Sequence, residues 1–342
     1  MNIRATSTPF QHIFRLHASE KTDTCRSKAI EVGNSYHVEV TGMQAGPLRQ
    51  ITPSDITQRN WSRVGTAVLE MENSSKRRCF VKQYIDRSGV LHPDHLQYEY
   101  EGALLASKIL DGIVKVPSLL LKDDERLINV FEHTDVITVD ELLRSDETRF
   151  WHYYPLLLEQ LSDVLNAMRE GANRHDTANL PVKTRNYRSQ GLAINFKGFE
   201  IRNTGYQLSP GNMEDSSTSL PPVVMFDFVR PYIAPIEEAA AKLLVSIALL
   251  NWGKPLGRFI KGHDNEILDM AFYYIGQWTN REAMEAELAI QQGFRFDTIK
   301  GANRSESQLK KVGLNVVGRI YLNRIREWTS AHFPADDSPT PG

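Results

Sequence analysis

Two kinds of hydrophobic pattern divide the chain. Between Arg63 and Phe131 the apolar residues gather in short β-rich runs, and from Thr138 onward they recur every three or four positions. Val64 to Met71 and Arg78 to Tyr84 read as two strands of a hairpin that turns at Asn73, Ser74 and Ser75. Pro93 to Leu110 carries Leu96, Tyr100, Leu104 and Leu105 at helical spacing behind a proline suited to a first turn. Pro117 to Leu121 and Arg126 to Phe131 are two further strands, separated by the charged turn Lys122 to Glu125.

The second half is helical. Thr138 is placed to cap a helix over Val139 to Arg144, and Arg149 to Glu170 sets Trp151, Tyr154, Leu158, Leu161, Leu165 and Met168 along one broad face. Leu192 to Leu208 and Val223 to Val229, with a polar turn at Ser209 to Pro222, read as a short β-hairpin inserted among helices. Pro235 to Trp252, Asn265 to Trp278, Asn280 to Gln292 and Ser305 to His332 complete the helices, with Thr279 as N-cap of the third. The polar start offers one strand, Tyr36 to Val40. The expected organisation is α+β and bilobal: a variable leader over 1–45, a small β-rich N-lobe with one helix over 46–133, a larger helical C-lobe over 134–333, and a disordered tail over 334–342.

Composition narrows the function classes. With 342 residues, 41% of them hydrophobic, the chain has ample material for a core. Lysine and arginine (40) nearly balance aspartate and glutamate (42), so no nucleic-acid partner is expected and any phosphate chemistry must be local. The cysteines, Cys25 and Cys79, have no metal-ligand spacing around them, and no stretch approaches the ~20 apolar residues of a membrane span. Met1 to Glu20 lacks the unbroken apolar core of a signal peptide, so the expected location is cytoplasmic. The ten histidines are scattered, and neither a Gly-x-Ser-x-Gly elbow nor His-Glu-x-x-His occurs, which removes the commoner hydrolase and zinc readings.

The candidate chemistry lies in a series of polar residues at element ends. Lys82 closes the apolar run Cys79-Phe80-Val81, Glu101 begins Glu-Gly-Ala-Leu-Leu on the first helix, Val116-Pro117 precedes the third strand, and Glu132 and His133 follow the fourth. Asn195 to Asn203 reads Asn-Phe-Lys-Gly-Phe-Glu-Ile-Arg-Asn, and Asp227 follows the apolar run Val223 to Phe226. This order resembles the protein-kinase-like superfamily over Arg63 to Gly262, in its small-molecule (aminoglycoside-type) and bacterial lipopolysaccharide kinase branches.

The resemblance implies ATP and Mg2+ as cofactors. Lys82 would grip the α- and β-phosphates, with Glu101 holding its ammonium; Glu99 competes for that role from two positions away, nearly across the helix. The backbones of Glu132 and His133 would meet the adenine edge, and Asn203 and Asp227 would be metal ligands. A carboxylate after an apolar strand is costly unless paired or coordinated, which independently marks Asp227. Two departures stand out: Gly198 occupies the position of the family's catalytic-base aspartate and Phe196 that of its histidine. No glycine-rich G-x-G-x-x-G loop precedes Lys82. Glu200 is the candidate substitute base.

Two functions follow. One is an ATP-dependent phosphotransferase acting on a sugar, a glycan or another small molecule. The other is a catalytically impaired pseudokinase that binds nucleotide or a protein partner as a scaffold. Lys183, Arg185 and Arg188 precede the catalytic-loop segment and read either as a solvated loop or as facing an anionic acceptor.

Overall fold

The computed structural model describes residues 30–31, 37–40, 43–58, 62–71, 76–86, 89–124, 127–174, 177–207, 221–248, 250, 263–290, 323 and 325–333. Most of the expected leader with Cys25, the turn at Asn73 to Ser75, most of the turn at Ser209 to Pro222, the helix end at Asn251 to Pro255, most of the last expected helix and the tail over 334–342 lie outside the described residues.

The N-terminal part is one antiparallel sheet. Its strands are β1 (Ile30–Glu31), β2 (His37–Val40), β3 (Met43–Gln58), β4 (Arg63–Met71), β5 (Lys76–Gln83), β6 (Leu119–Asp123) and β7 (Ile128–Glu132), in the order β1-β3-β4-β5-β7-β6 with β2 on β3. The 16-residue β3 runs across the boundary expected at residue 45. Its periodicity is masked by Pro47 and Pro53, residues that seldom sit inside a paired strand, and its ladder with β4 shifts register between Leu48 and Gln50 and between Ser54 and Thr57.

Alternation along β5 buries Cys79, Val81 and Gln83 and turns Lys82 to the opposite face. On that face Asn129 of β7, the register partner of Lys82, donates to the carbonyl of Leu96 at 3.3 Å. That bond seats helix α1 (Pro93–Ile109), which buries Leu96, Glu99, Gly102, Ala103, Ala106 and Ile109, positions that recur on one side of an α-helix. Lys108 is in the last turn of α1 and Asp94 in its first, which suits the helix dipole.

Beyond β7 come β8 (Val136–Thr138), α2 (Val139–Ser145), α3 (Glu147–Gly171), β9 (Leu192–Asn195), β10 (Thr204–Gln207), β11 (Val223–Met225), β12 (Tyr232–Pro235), α4 (Ile236–Ala248), α5 (His263–Ile275), α6 (281–290) and α7 (325–332). Thr138 forms the capping box of α2 with Glu141. Asn280, not Thr279, caps α6: its Oδ1 accepts the Ala283 N–H at 2.9 Å, while the Thr279 hydroxyl is spent on the Glu237 carbonyl at 3.2 Å. The single hairpin expected over Leu192 to Val229 is two separate ladders, β9 with β12 and β10 between β11 and β8. The chain breaks out of strand between β9 and β10, and that break is the site described below.

The core of this part is formed by Phe150, Tyr154, Leu158, Leu161 and Leu165 of α3 against β9 and α4. α4 is buried on all sides, taking with it three charged residues, Glu237, Glu238 and Lys242. Among the described residues no helix is long and apolar enough to cross a membrane.

Candidate functional site

The two parts meet at a buried ion cluster. Lys82 Nζ lies 3.0 and 2.9 Å from the two carboxylate oxygens of Glu99 and 2.7 Å from Asp227 Oδ1. Tyr84 Oη donates to Glu99 Oε2, and the Asn129 amide donates to Tyr84 Oη at 3.2 Å. A strand lysine, a helix carboxylate and a loop carboxylate 145 positions beyond the lysine thus share one contact.

Helix α1 can come this close because of Gly102. A Cβ there would stand 2.2 Å from the carbonyl oxygen of Phe228, so only glycine lets the helix lie against the backbone beside Asp227. Glu99 is one turn before Gly102 on the same face, which delivers its carboxylate to Lys82. The helix residue expected to hold Lys82, Glu101, instead points outward and accepts from Gln97 at 2.6 Å. The sequence pattern gave weight to the leucines after Glu101, whereas the packed face is the one with small residues, Gly102, Ala103 and Ala106.

Charge in the cluster is unequal. Burial pulls the Lys82 ammonium down, but Glu99 and then Asp227 outweigh it and hold the ammonium above its ordinary range. Burial drives Glu99 the other way for an acid, up to about 7, against the pull of Lys82 and with Asp227 adding to the rise. The ion pair favours charge on both partners and burial opposes it on both. Lys82 has two carboxylates and stays charged; Glu99 shares one ammonium with Asp227 and does not gain enough.

Asp227 stands in left-handed backbone, φ 65°, and so does Arg230, φ 52°. Few non-glycine residues adopt this region, and such strain concentrates at functional sites. The Asp227 side chain is 39% exposed, against 6% for Glu99, so of the two carboxylates on Lys82 it is the one that opens outward.

Gly198 and Asn203 complete the surroundings of Asp227. The Asn203 amide donates to the Gly198 carbonyl at 2.7 Å, which fixes its orientation, and the Asn203 carbonyl accepts the Phe226 N–H at 3.0 Å. A Cβ on residue 198 would stand 1.9 Å from the Asp227 carbonyl oxygen and 3.4 Å from its Oδ2. No side chain fits there, so the aspartate expected at this place in a catalytic loop is excluded by backbone packing. Phe196 is fully buried and meets Phe228 edge to face with ring centroids 4.9 Å apart. An apolar contact thus stands where the sequence resemblance called for a histidine.

The sequence did not single out Lys242. Its ammonium, buried in α4, donates to the carbonyls of Phe196 at 2.6 Å and Lys197 at 3.4 Å, and burial holds it below its ordinary range. This lysine anchors the loop from beneath; its signal in the sequence is a lone charge within the apolar run Ala239 to Leu250.

The remaining expected residues lie apart from the cluster. Glu200 turns its side chain to an ion pair with Arg202, and its link to Asn203 is through the backbone, its carbonyl accepting the Asn203 N–H at 3.0 Å. Glu132 accepts from Arg77 at 3.2 Å, and its backbone N–H is already donated to Ser118, which removes that donor from any adenine edge. His133 follows β7 beside Asp135 at 3.7 Å, with burial and Arg78 holding the imidazole below its usual range.

A β-lobe with one helix, a strand lysine paired to that helix, and an aspartate rising from a helical lobe to meet both are now in place. This is the bilobal α+β arrangement expected from the sequence. No protein-family model matches the chain, and no curated protein sequence does. Among solved structures it is similar to an amicoumacin kinase in complex with AMP-PNP, Ca2+ and Ami, with TM-score 0.49 and 9% identity over 83% of this chain and 90% of that chain. It is also similar to a choline/ethanolamine kinase family protein from Mesorhizobium loti, with TM-score 0.38 and 10% identity over 83% and 90%. A choline kinase from Streptococcus pneumoniae gives TM-score 0.41 and 11% identity over 80% and 94%.

Proposed function

We propose that this chain binds a nucleoside triphosphate with a divalent cation, ATP with Mg2+, between its two lobes. The observation that carries the reading is the Lys82–Glu99–Asp227 cluster, in which one ammonium is held between a buried carboxylate and an open one. Among the described residues no group of three or more His, Cys, Asp or Glu side chains is placed to hold a metal ion. The donor set suits Mg2+ nonetheless, because that ion is commonly held by one or two protein oxygens and completes its shell with phosphate and water. Asp227 supplies the open carboxylate and Asn203 the amide oxygen left over by its bond to Gly198. The cation, when bound, neutralises charge on the transferring phosphoryl group.

The chain's own residues then have separate tasks. Lys82, kept charged by Glu99, offers its ammonium to phosphate oxygens. Gly102 sets the approach of α1, and Lys242 holds the loop that carries Gly198. The acceptor is a sugar, a glycan or another small molecule, and its hydroxyl meets no side-chain base at position 198. Phosphoryl transfer leans on positioning and charge more than on deprotonation, and a lost general base costs about 10² to 10⁴ in rate.

The closed space at Gly198 specifically favours a second reading, a pseudokinase that keeps nucleotide binding and has lost transfer, serving as a scaffold for a protein partner. Sensitive measurement of ATP consumption by the full chain, with and without a mixture of sugar acceptors, separates the two. Slow turnover abolished by Asp227→Asn supports the enzyme. Nucleotide binding with turnover no greater than in Asp227→Asn leaves the scaffold, and absence of both binding and turnover ends the nucleotide reading.

A further inference from the structure

Beside the cluster the surface carries three cations that form no ion pair among the described residues. β9 and β12 pair with Asn195 opposite Tyr232, and the ribbon continues so that the Lys197 N–H donates to the Val229 carbonyl at 2.8 Å. Lys197 therefore lies across from Val229 and Arg230, one residue before Gly198 and three after Asp227 respectively. Lys183 joins the same ribbon by donating its N–H to the Ile233 carbonyl at 2.8 Å, and its ammonium rests 3.2 Å from the centre of the Tyr232 ring. The Arg230 guanidinium rests 4.6 Å from the centre of the Tyr98 ring.

Two of these cations are thus posed on aromatic faces, which orient a charge without neutralising it. All three are exposed, and among the described residues none has an ion pair. The acids nearby are already engaged. Glu238 binds Arg185 at 2.6 Å and the Tyr232 hydroxyl at 2.7 Å, and Glu237 accepts from the Ser189 hydroxyl at 3.0 Å and from the Gln190 N–H. Arg185, one of the loop cations open to either role in the sequence, is therefore structural. The chain as a whole has formal charge −2, so this local excess is not a general property of the surface. The backbone strain at Arg230 is a second, independent mark, since φ 52° turns this one residue out beside Asp227 and onto Tyr98. Burial lowers Lys183 against the pull of Glu238, and Arg185, Lys242 and Arg230 add to the fall, so the cations around it outnumber that one acid.

The geometry points to Lys183, Arg230 and Lys197 as a subsite for an oxyanion, phosphate or carboxylate, carried by a small-molecule acceptor. This rests on the nucleotide reading above and names the acceptor class: an acidic or already phosphorylated small molecule. Arg230 supplies a planar fork for two oxygens, and the lysines supply point charges.

The test uses the full chain saturated with a non-hydrolysable ATP analogue and Mg2+, so that the Lys82 site is filled. Inorganic phosphate and acetate are titrated separately and followed by nuclear magnetic resonance of the protein. Binding of one or both is expected, weakened at least fivefold by Lys183→Gln and by Arg230→Gln, partly restored in Arg230→Lys, and unchanged by Lys108→Gln on α1. Phosphate alone identifies a phosphorylated acceptor, and binding of both a general acidic one. The analogue's own affinity must stay within twofold in the three site variants, which shows that they fold. No anion binding to the saturated protein, or equal weakening by Lys108→Gln, overturns the subsite while leaving the nucleotide reading intact. Failure of the analogue to bind overturns the nucleotide reading and the subsite with it.

Discussion

Replacing Gly198 by alanine is the smallest step toward restoring a side chain at the base position, and the structure predicts that it damages the site. The new Cβ would stand 1.9 Å from the Asp227 carbonyl oxygen, and carbon–oxygen contacts do not fall below about 3 Å, so the two backbones must part by roughly an ångström. Neither atom is at the end of a flexible side chain. The displaced peptide neighbours the 2.8 Å bond from Lys197 to Val229 and the 2.7 Å pair between Lys82 and Asp227. Overpacking of this kind costs about 1 to 3 kcal/mol. Weakening one or two hydrogen bonds adds about 1 kcal/mol each. Gly198→Ala should therefore lose about 2 to 5 kcal/mol in denaturant unfolding, and Gly198→Asp at least as much, with no gain in ATP turnover. The assay is chemical denaturation of both variants beside calorimetric titration with a non-hydrolysable ATP analogue. Wild-type stability with unchanged analogue affinity in Gly198→Ala would refute the packing argument. A rise in turnover in Gly198→Asp would do the same.

Three other outcomes are expected. Glu99→Gln should destabilise the chain by about 2 kcal/mol, since it takes away one of the two buried oxygens that accept from Lys82 and Tyr84, whereas Glu101→Gln on the open face should stay within about 0.5 kcal/mol; equal effects in unfolding curves would restore the sequence expectation. Glu99 also sets a pH dependence. Its folded value of about 7 exceeds the ordinary 4.5, so the folded state binds the extra proton and stability should fall as pH rises across that interval, relative to Glu99→Gln; an opposite slope would show the carboxylate ionised throughout. Gly102→Ala should cost about 1 to 3 kcal/mol by pushing α1 from the Phe228 carbonyl, and it should weaken analogue binding as Glu99 withdraws; unaltered binding would separate the helix position from the site.

Much of the architecture was legible because periodicity reports burial directly. Pro93 to Leu110, Thr138 with its capping box, and the strands around Lys82 all rest on local rules that tertiary packing did not override. β3 escaped because two prolines and a mostly polar sequence hide its pairing, which its ladder with β4 reveals. In the site, Lys82 stood out through the resemblance and Asp227 because a carboxylate after an apolar strand needs a partner, and the two proved to be paired with each other. Glu101 misled because a list of leucines is not a packed face. Choosing Glu99 required knowing that Gly102 abuts Phe228, a long-range contact that no local pattern encodes. Gly198 could be read as a missing base from the order of residues, yet the reason for its absence is visible only in the crossing of two backbones. Lys242 left a trace, a single lysine in an apolar helix, without any indication that two carbonyls awaited it.

The central claim is that the Lys82–Glu99–Asp227 cluster is a nucleotide-phosphate site completed by a divalent cation. Its most direct test is calorimetric titration of the full chain with a non-hydrolysable ATP analogue, with and without Mg2+, beside Asp227→Asn and Lys82→Met. Binding that strengthens with Mg2+, loses that strengthening in Asp227→Asn and falls at least tenfold in Lys82→Met is the predicted result. Binding unaffected by either substitution, or none under any condition, would contradict the account.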